Sequence, residues 1–164
     1  MITLRNGVAA FLRHKDEYLL LKRAKTKRVA PGKWSGVGGH IEPQEMNYPL
    51  DTCYREIEEE TGIEMNQISA LELLYIIIHR IENEILQMYI YFGDCSTKEI
   101  LHTDEGVLVW IAEKELANLE YSSAFSAMIV HYLNRTPNDK ELYVGVAEKR
   151  QNVLSMTWTS CVDL

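Results

Sequence analysis

Apolar positions along the chain fall mostly into alternating or continuous runs that predict strands, interrupted by two stretches of helical period. Residues 2–13 and 18–24 read as strands about a turn at His14–Glu17. Within the second, Leu19–Leu21 is uninterrupted apolar sequence, the pattern of a strand covered on both sides. Two longer strands, Ile68–Arg80 and Ile85–Phe92, are joined at Glu82–Glu84 and carry the β-branched and aromatic residues strands favour. An acidic loop at His102–Glu105 precedes a further apolar strand through Trp110 and Ile111, and Glu113–Leu116 begins a short helical segment. Phe125, Met128, Ile129, Tyr132 and Leu133 recur at helical spacing and predict an amphipathic helix over Ser123–Arg135, capped by Ser122 or Ser123. Thr136–Asp139 ends it. Glu141–Glu148 and Val153–Thr159 then pattern as a hairpin over Lys149–Asn152. Strands interleaved with helices predict the α/β class. One domain is expected over 1–164, with 137–164 a C-terminal β-hairpin extension of it. That tail could complete the sheet, shape substrate choice or make a homodimer contact.

Composition narrows this picture. The 164 residues suffice for one full core, and 46% hydrophobic with 25% charged residues is ordinary for a globular protein. A net charge of −7 argues against nucleic-acid and membrane-surface partners. It also means that an anionic substrate needs local help. Cys53, Cys95 and Cys161 show no metal-binding spacing, and so sparse and odd a set suggests reduced thiols in a cytoplasmic protein. No apolar run is long enough to span a bilayer, and no signal-peptide pattern opens the chain.

The second helical stretch changes the question from fold to chemistry. Pro49 suits a first helical turn and Gly62 the position just past the end. Glu56, Glu59 and Glu60 then share one face of the last two turns. Like charges at this spacing cost about 0.2–0.5 kcal/mol per pair, and carboxylates near a helix C-terminus about 0.3–1 kcal/mol each. Only Arg55 offers a local offset. A solvated acidic face is the ordinary explanation of such a run; a cation site is the functional one. Carboxylate oxygens, with no Cys or His cluster, suit Mg2+ rather than zinc. Ahead of the acids, Lys22, Arg23, Lys25, Lys27, Arg28 and Lys33 reverse the sign of the local charge. This is either a solvated loop or a lead-in for phosphates, with Arg23 the best candidate because its fork binds phosphate bidentately. Lys27, Arg28 and Lys33 read as loop charges. The glycine-rich Pro31–Gly39 matches neither the P-loop nor the G-x-G-x-x-G spacing.

Together these residues resemble the Nudix box. Gly39 is followed after five residues by Glu45, and Arg55, Glu56, Ile57, Glu59, Glu60, Gly62 and Ile63 occupy the specified positions of its second half. Nine residues instead of seven separate Glu45 from Arg55, and the two extra are assigned to the loop Met46–Tyr48. The resemblance implies a Glu45–Arg55 ion pair, and the longer spacing leaves open whether it forms.

The resemblance implies a Nudix fold, an α/β/α sandwich with a mixed sheet, and a hydrolase acting on a nucleoside diphosphate linked to another moiety. It implies Mg2+, with Mn2+ as the alternative, held by Glu56, Glu59, Glu60 and the Gly39 carbonyl. Either Glu59 or Glu105 would be the general base, Asp104 ranking behind Glu105, with Arg55 steering the carboxylates. Arg23 and Trp34 are the substrate-side candidates, Trp34 also reading as core. Ile78-His79-Arg80 stands where ADP-ribose enzymes of the family often carry a proline, and the tyrosine of dinucleoside-polyphosphate enzymes has no counterpart at the expected place. The default expectation is a (deoxy)nucleoside triphosphate pyrophosphatase that cleans oxidised nucleotides such as 8-oxo-dGTP. ADP-ribose or nucleotide-sugar hydrolysis, and a non-catalytic sensing module, are the alternatives.

Overall fold

The computed structural model describes residues 1–151 and 153–163. Its strands are β1 (Thr3–His14), β2 (Glu17–Arg23), β3 (Trp34–Ser35), β4 (Ile68–Ile81), β5 (Glu84–Cys95), β6 (Gly106–Ala112), β7 (Leu142–Arg150) and β8 (Val153–Cys161). The helices are α1 (Pro49–Thr61) and α2 (Ser123–Leu133), with short 3-10 turns between. The strands form one sheet in the order β3-β2-β1-β5-β4-β7-β8, and β6 runs antiparallel along β2. β1 is parallel to β5, and β4 to β7, so the sheet is mixed.

Alternation along β1 divides the core. Val8, Ala10 and Leu12 face α1, where they meet Leu19, Val37, Cys53, Ile57 and Ile63. Ala9 and Phe11 face α2 and pack with Leu20, Tyr75, Ile77, Ile90, Met128 and Ile129. Each helix is thus held by its apolar stripe on an opposite face of the sheet, and the α/β/α sandwich follows. α1 starts at Pro49 and stops at Gly62, whose φ of 74° lets its N–H reach the Glu58 carbonyl. α2 is capped by Ser122, which accepts from Phe125 N–H.

The elements overrun their apolar patterns where pairing continues. β5 extends to Cys95 because Arg13 opposes Asp94 in the ladder and holds its carboxylate at 2.7 Å. β4 continues to Ile81, so the turn narrows to Glu82 and Asn83. β7 lies parallel beside β4, and Met156 and Trp158 of β8 pack against the α2-side core, so the tail extends the sheet. Of the expected turn Lys149–Asn152, Asn152 lies outside the described residues. Among the described residues no helix is long and apolar enough to cross a membrane, and Cys53, Cys95 and Cys161 are all free thiols.

Candidate active site

The sandwich brings the end of α1 against the glycine-rich segment that crosses onto β1. Val37 exchanges backbone hydrogen bonds with Ala10, and the Gly39 carbonyl accepts from Val8 N–H at 3.0 Å. One lone pair of that carbonyl remains for another partner. Glu60 turns inward beneath this segment and is only 8% exposed. Its Oε2 accepts from Gly38 N–H at 3.1 Å. Burial pushes its carboxyl up to about 7; the fields of Glu56 and Glu105 add to the rise, and Gly38 N–H and Arg23 oppose it. Glu56 is also raised, chiefly by burial, with Arg55 pulling the other way. A Cβ on Gly39 would collide with the Glu56 carboxylate, so the glycine makes the space this side chain occupies.

Arg55 ties the remaining acids together. Its Nε and Nη2 bond the two oxygens of Glu45 at 2.8 and 3.0 Å. Its Nη1 lies 2.9 Å from Glu56 and 3.0 Å from Glu59. Glu45 is held down to about 2, first by the Arg55 hydrogen bond. The ion pair that the longer spacing left open therefore forms. The extra residues bulge out in Met46–Tyr48, where Met46 and Tyr48 are exposed. Glu45 stays in place because a 3-10 turn at Pro43–Glu45 is closed by reciprocal bonds between Glu42 and Glu45.

Glu105 arrives from the opposite side. Its carbonyl accepts from Ala24 N–H at 3.0 Å, just before β6. Its carboxylate pairs with Lys27 at 2.6 Å. Asp104 is exposed beside it. The basic stretch is a pinned loop and not a free cationic patch: Lys33 pairs with Glu120 at 3.1 Å, Arg28 approaches Glu84 at 3.6 Å, and Arg23 Nε donates to the Val29 carbonyl. Lys27, expected to be an ordinary loop charge, is instead the partner of the Glu105 carboxylate. Nothing local in the sequence signals that contact, since the two lie 78 residues apart. Trp34 pairs with Lys22 across β3 and β2, packs against the α2-side core and has the Lys22 ammonium 5.4 Å from its ring centre.

Among the described residues no three His, Cys, Asp or Glu side chains form a ready-made metal cage. The arrangement nevertheless fits a hard divalent cation. Glu60 is buried and Glu56 half-buried against the energetic preference of their charges, Glu59 is 60% exposed, and Arg55 Nη1 holds both Glu56 and Glu59. A cation taking those oxygens would relieve both burial and like-charge repulsion.

A NUDIX domain model matches residues 3–133. The chain belongs to the NUDIX family. Nudix hydrolases use divalent cations in general, in keeping with the oxygen-rich face of α1. The fold matches a MutT protein from Bacillus halodurans with a TM-score of 0.74 at 23% identity, covering 94% of this chain and 97% of that one. A MutT protein from Methanosarcina mazei Go1 matches with a TM-score of 0.69 at 22% identity over 80% and 94% of the two chains. Among curated proteins, the m7GpppN-mRNA hydrolase NUDT17 of Bos taurus is 40% identical over 62 residues, which is 37% of this chain and 20% of that protein. The human protein of the same name is 42% identical over 62 residues, 37% of this chain and 18% of its own length. The match thus spans about a fifth of those relatives.

Proposed function

We propose that this Nudix hydrolase is a (deoxy)nucleoside triphosphate pyrophosphatase that releases a nucleoside monophosphate and pyrophosphate, oxidised nucleotides such as 8-oxo-dGTP included. The supporting observation is the cradle at the end of α1, where the buried Glu60 and the half-buried Glu56 meet the backbone of Gly38 and Gly39. Glu56, Glu59, Glu60 and the free lone pair of the Gly39 carbonyl are the proposed ligands of Mg2+, with Mn2+ as the alternative. Held there, a divalent cation would supply neutralisation of the phosphate oxygens and a more acidic water. The protein's own groups supply the rest. Arg55 fixes the Glu56 and Glu59 carboxylates through one nitrogen and is itself fixed by Glu45. Arg23, whose field reaches Glu60, is the cation proposed to meet the phosphates, and Trp34, paired with the neighbouring Lys22, is the aromatic proposed for the base. A carboxylate takes the proton of the attacking water. Glu59 and Glu105 are the two candidates, each held by a cation in this structure. The proposed unit of function is the single domain 1–164, working on small nucleotides in the cytoplasm.

Hydrolysis of capped RNA ends is the second reading. It rests on the 62-residue likeness to the curated m7GpppN-mRNA hydrolases. A release assay with Mg2+ over the four dNTPs, 8-oxo-dGTP, ADP-ribose, a nucleotide sugar, a diadenosine polyphosphate and m7GpppG separates these. Fastest turnover of a triphosphate, abolished by EDTA, is the expected result. Preference for any of the others overturns the substrate assignment, and binding without turnover favours the sensing module.

A further inference from the structure

The sheet ends on an unusual edge. Among the described residues, β8 pairs only with β7, over nine consecutive residues without a register shift. Its outer side presents unpaired backbone groups. Natural edge strands are commonly blocked by a lysine, a proline or a bulge. From Gln151 to Val162 the chain has no charged residue and no proline. On the face away from α2, Val153, Ser155, Thr157, Thr159 and Cys161 are exposed, Val153 to 68%, and Val146 of β7 adds 46% beside them. On the other face, Met156 and Trp158 join the core yet stay partly exposed. The strand carries the β-branched and aromatic residues of a sheet interior at a sheet margin.

We propose that β8 is a dimer interface, pairing antiparallel with β8 of a second copy about a two-fold axis through Thr157. An axis perpendicular to the sheet keeps each side chain on its own face, so one residue must oppose itself. With Thr157 on the axis, Ser155 opposes Thr159 and Val153 opposes Cys161. Every exposed pair is then small or β-branched and uncharged, the kind of cross-strand pair that stabilises a ladder. A second copy suits the edge better than a foreign peptide because the pattern is complementary to itself and the contact closes after two subunits. Charge agrees. The chain carries −7 overall, but residues 149–163 hold two basic residues, Lys149 and Arg150, and one acid, Asp163. The strand that would meet its copy, Val153–Cys161, is itself uncharged, so two copies approach along it without like charges in the seam. The joined sheet would run through both molecules, and each active site lies at the other end of its own sheet. This inference does not rest on the substrate proposed above.

Sedimentation velocity on the full chain reads the mass directly, and three variants test the register. Thr157→Lys and Thr157→Glu each place like charges on the axis and are expected to give monomers with wild-type circular dichroism and turnover. Mixed in equal amounts, they are expected to recover the dimer mass as a heterodimer. Val153→Cys is expected to form an intermolecular disulfide with the native Cys161 on mild oxidation. A monomeric wild type at every concentration tested overturns the proposal, whether or not β8 captures a strand peptide. A dimer that survives both Thr157 variants, or a mixture that stays monomeric, overturns the pairing as well.

Discussion

Glu60→Gln separates what the site costs from what it does. The Glu60 carboxyl rises from an ordinary 4.5 to about 7, first because it is buried. The folded protein therefore holds this proton more tightly than the unfolded chain does. The stability this contributes is complete below about pH 4.5 and is lost as the pH rises through about 7. A gap of about 2.5 units corresponds to roughly 3 kcal/mol. For a chain of this length that is about 6–12 °C in melting temperature. Metal-free wild-type protein should lose this amount between about pH 4.5 and pH 7 relative to Glu60→Gln, which has no proton to lose. The glutamine amide leaves a donor to satisfy and costs about 1–3 kcal/mol, but equally at every pH. The slope difference, and not the absolute stability, is the readout. Differential scanning calorimetry of both proteins in EDTA across this range measures it. Added Mg2+ should raise the wild-type melting temperature most at alkaline pH, and that of Glu60→Gln far less. Parallel melting curves for the two proteins, with or without metal, would refute the account of a charge buried for a cation.

The other expectations are quicker to test. Glu59→Gln removes an exposed carboxylate, so stability should change by less than about 0.5 kcal/mol. As a proposed metal ligand Glu59 loses activity on this change whether or not it is the base, so Glu105→Gln decides: a fall of about 10²–10⁴-fold in kcat with an altered pH–rate profile makes Glu105 the base, and near-wild-type turnover leaves Glu59. Gly39→Ala puts a methyl where the Glu56 carboxylate sits; since that is the movable end of the side chain, most of the activity should be lost while stability by denaturant unfolding changes little. Glu45 is held well below its ordinary value by Arg55, so the stability from this pair is present above about pH 4.5 and is lost as the pH falls toward about 2. Arg55→Ala should accordingly move the acid-unfolding midpoint to higher pH, read by tryptophan fluorescence. Lys27→Met releases Glu105 from its partner at 2.6 Å, and a changed KM for triphosphate or a shifted pH–rate profile with unaltered melting is expected.

Local order was legible because it depends on neighbours a few residues apart. The period of Phe125 to Leu133 predicts α2, Pro49 and Gly62 bracket α1, and the i, i+3, i+4 spacing of Glu56, Glu59 and Glu60 sets them on one face. The box spacing identified the family, and the family model over residues 3–133 agrees. What the sequence left open depends on residues far apart in it. Whether Glu45 still reaches Arg55 across two extra residues was decided by the turn at Pro43–Glu45, which lets Met46–Tyr48 bulge outward. Glu60 is no different from Glu59 in spacing, yet only the fold buries it under Gly38 and lifts its carboxyl, while Glu59 stays exposed on Arg55. Lys27 looked like a solvated charge until β6 brought Glu105 to it. The tail offered three roles by pattern, and its parallel seat beside β4 made it part of the sheet. The sequence by itself determined which side chains share a helix face or a strand face, because backbone geometry repeats over a few residues. Burial, and with it charge state and pairing, was decided only when distant segments excluded water from particular groups.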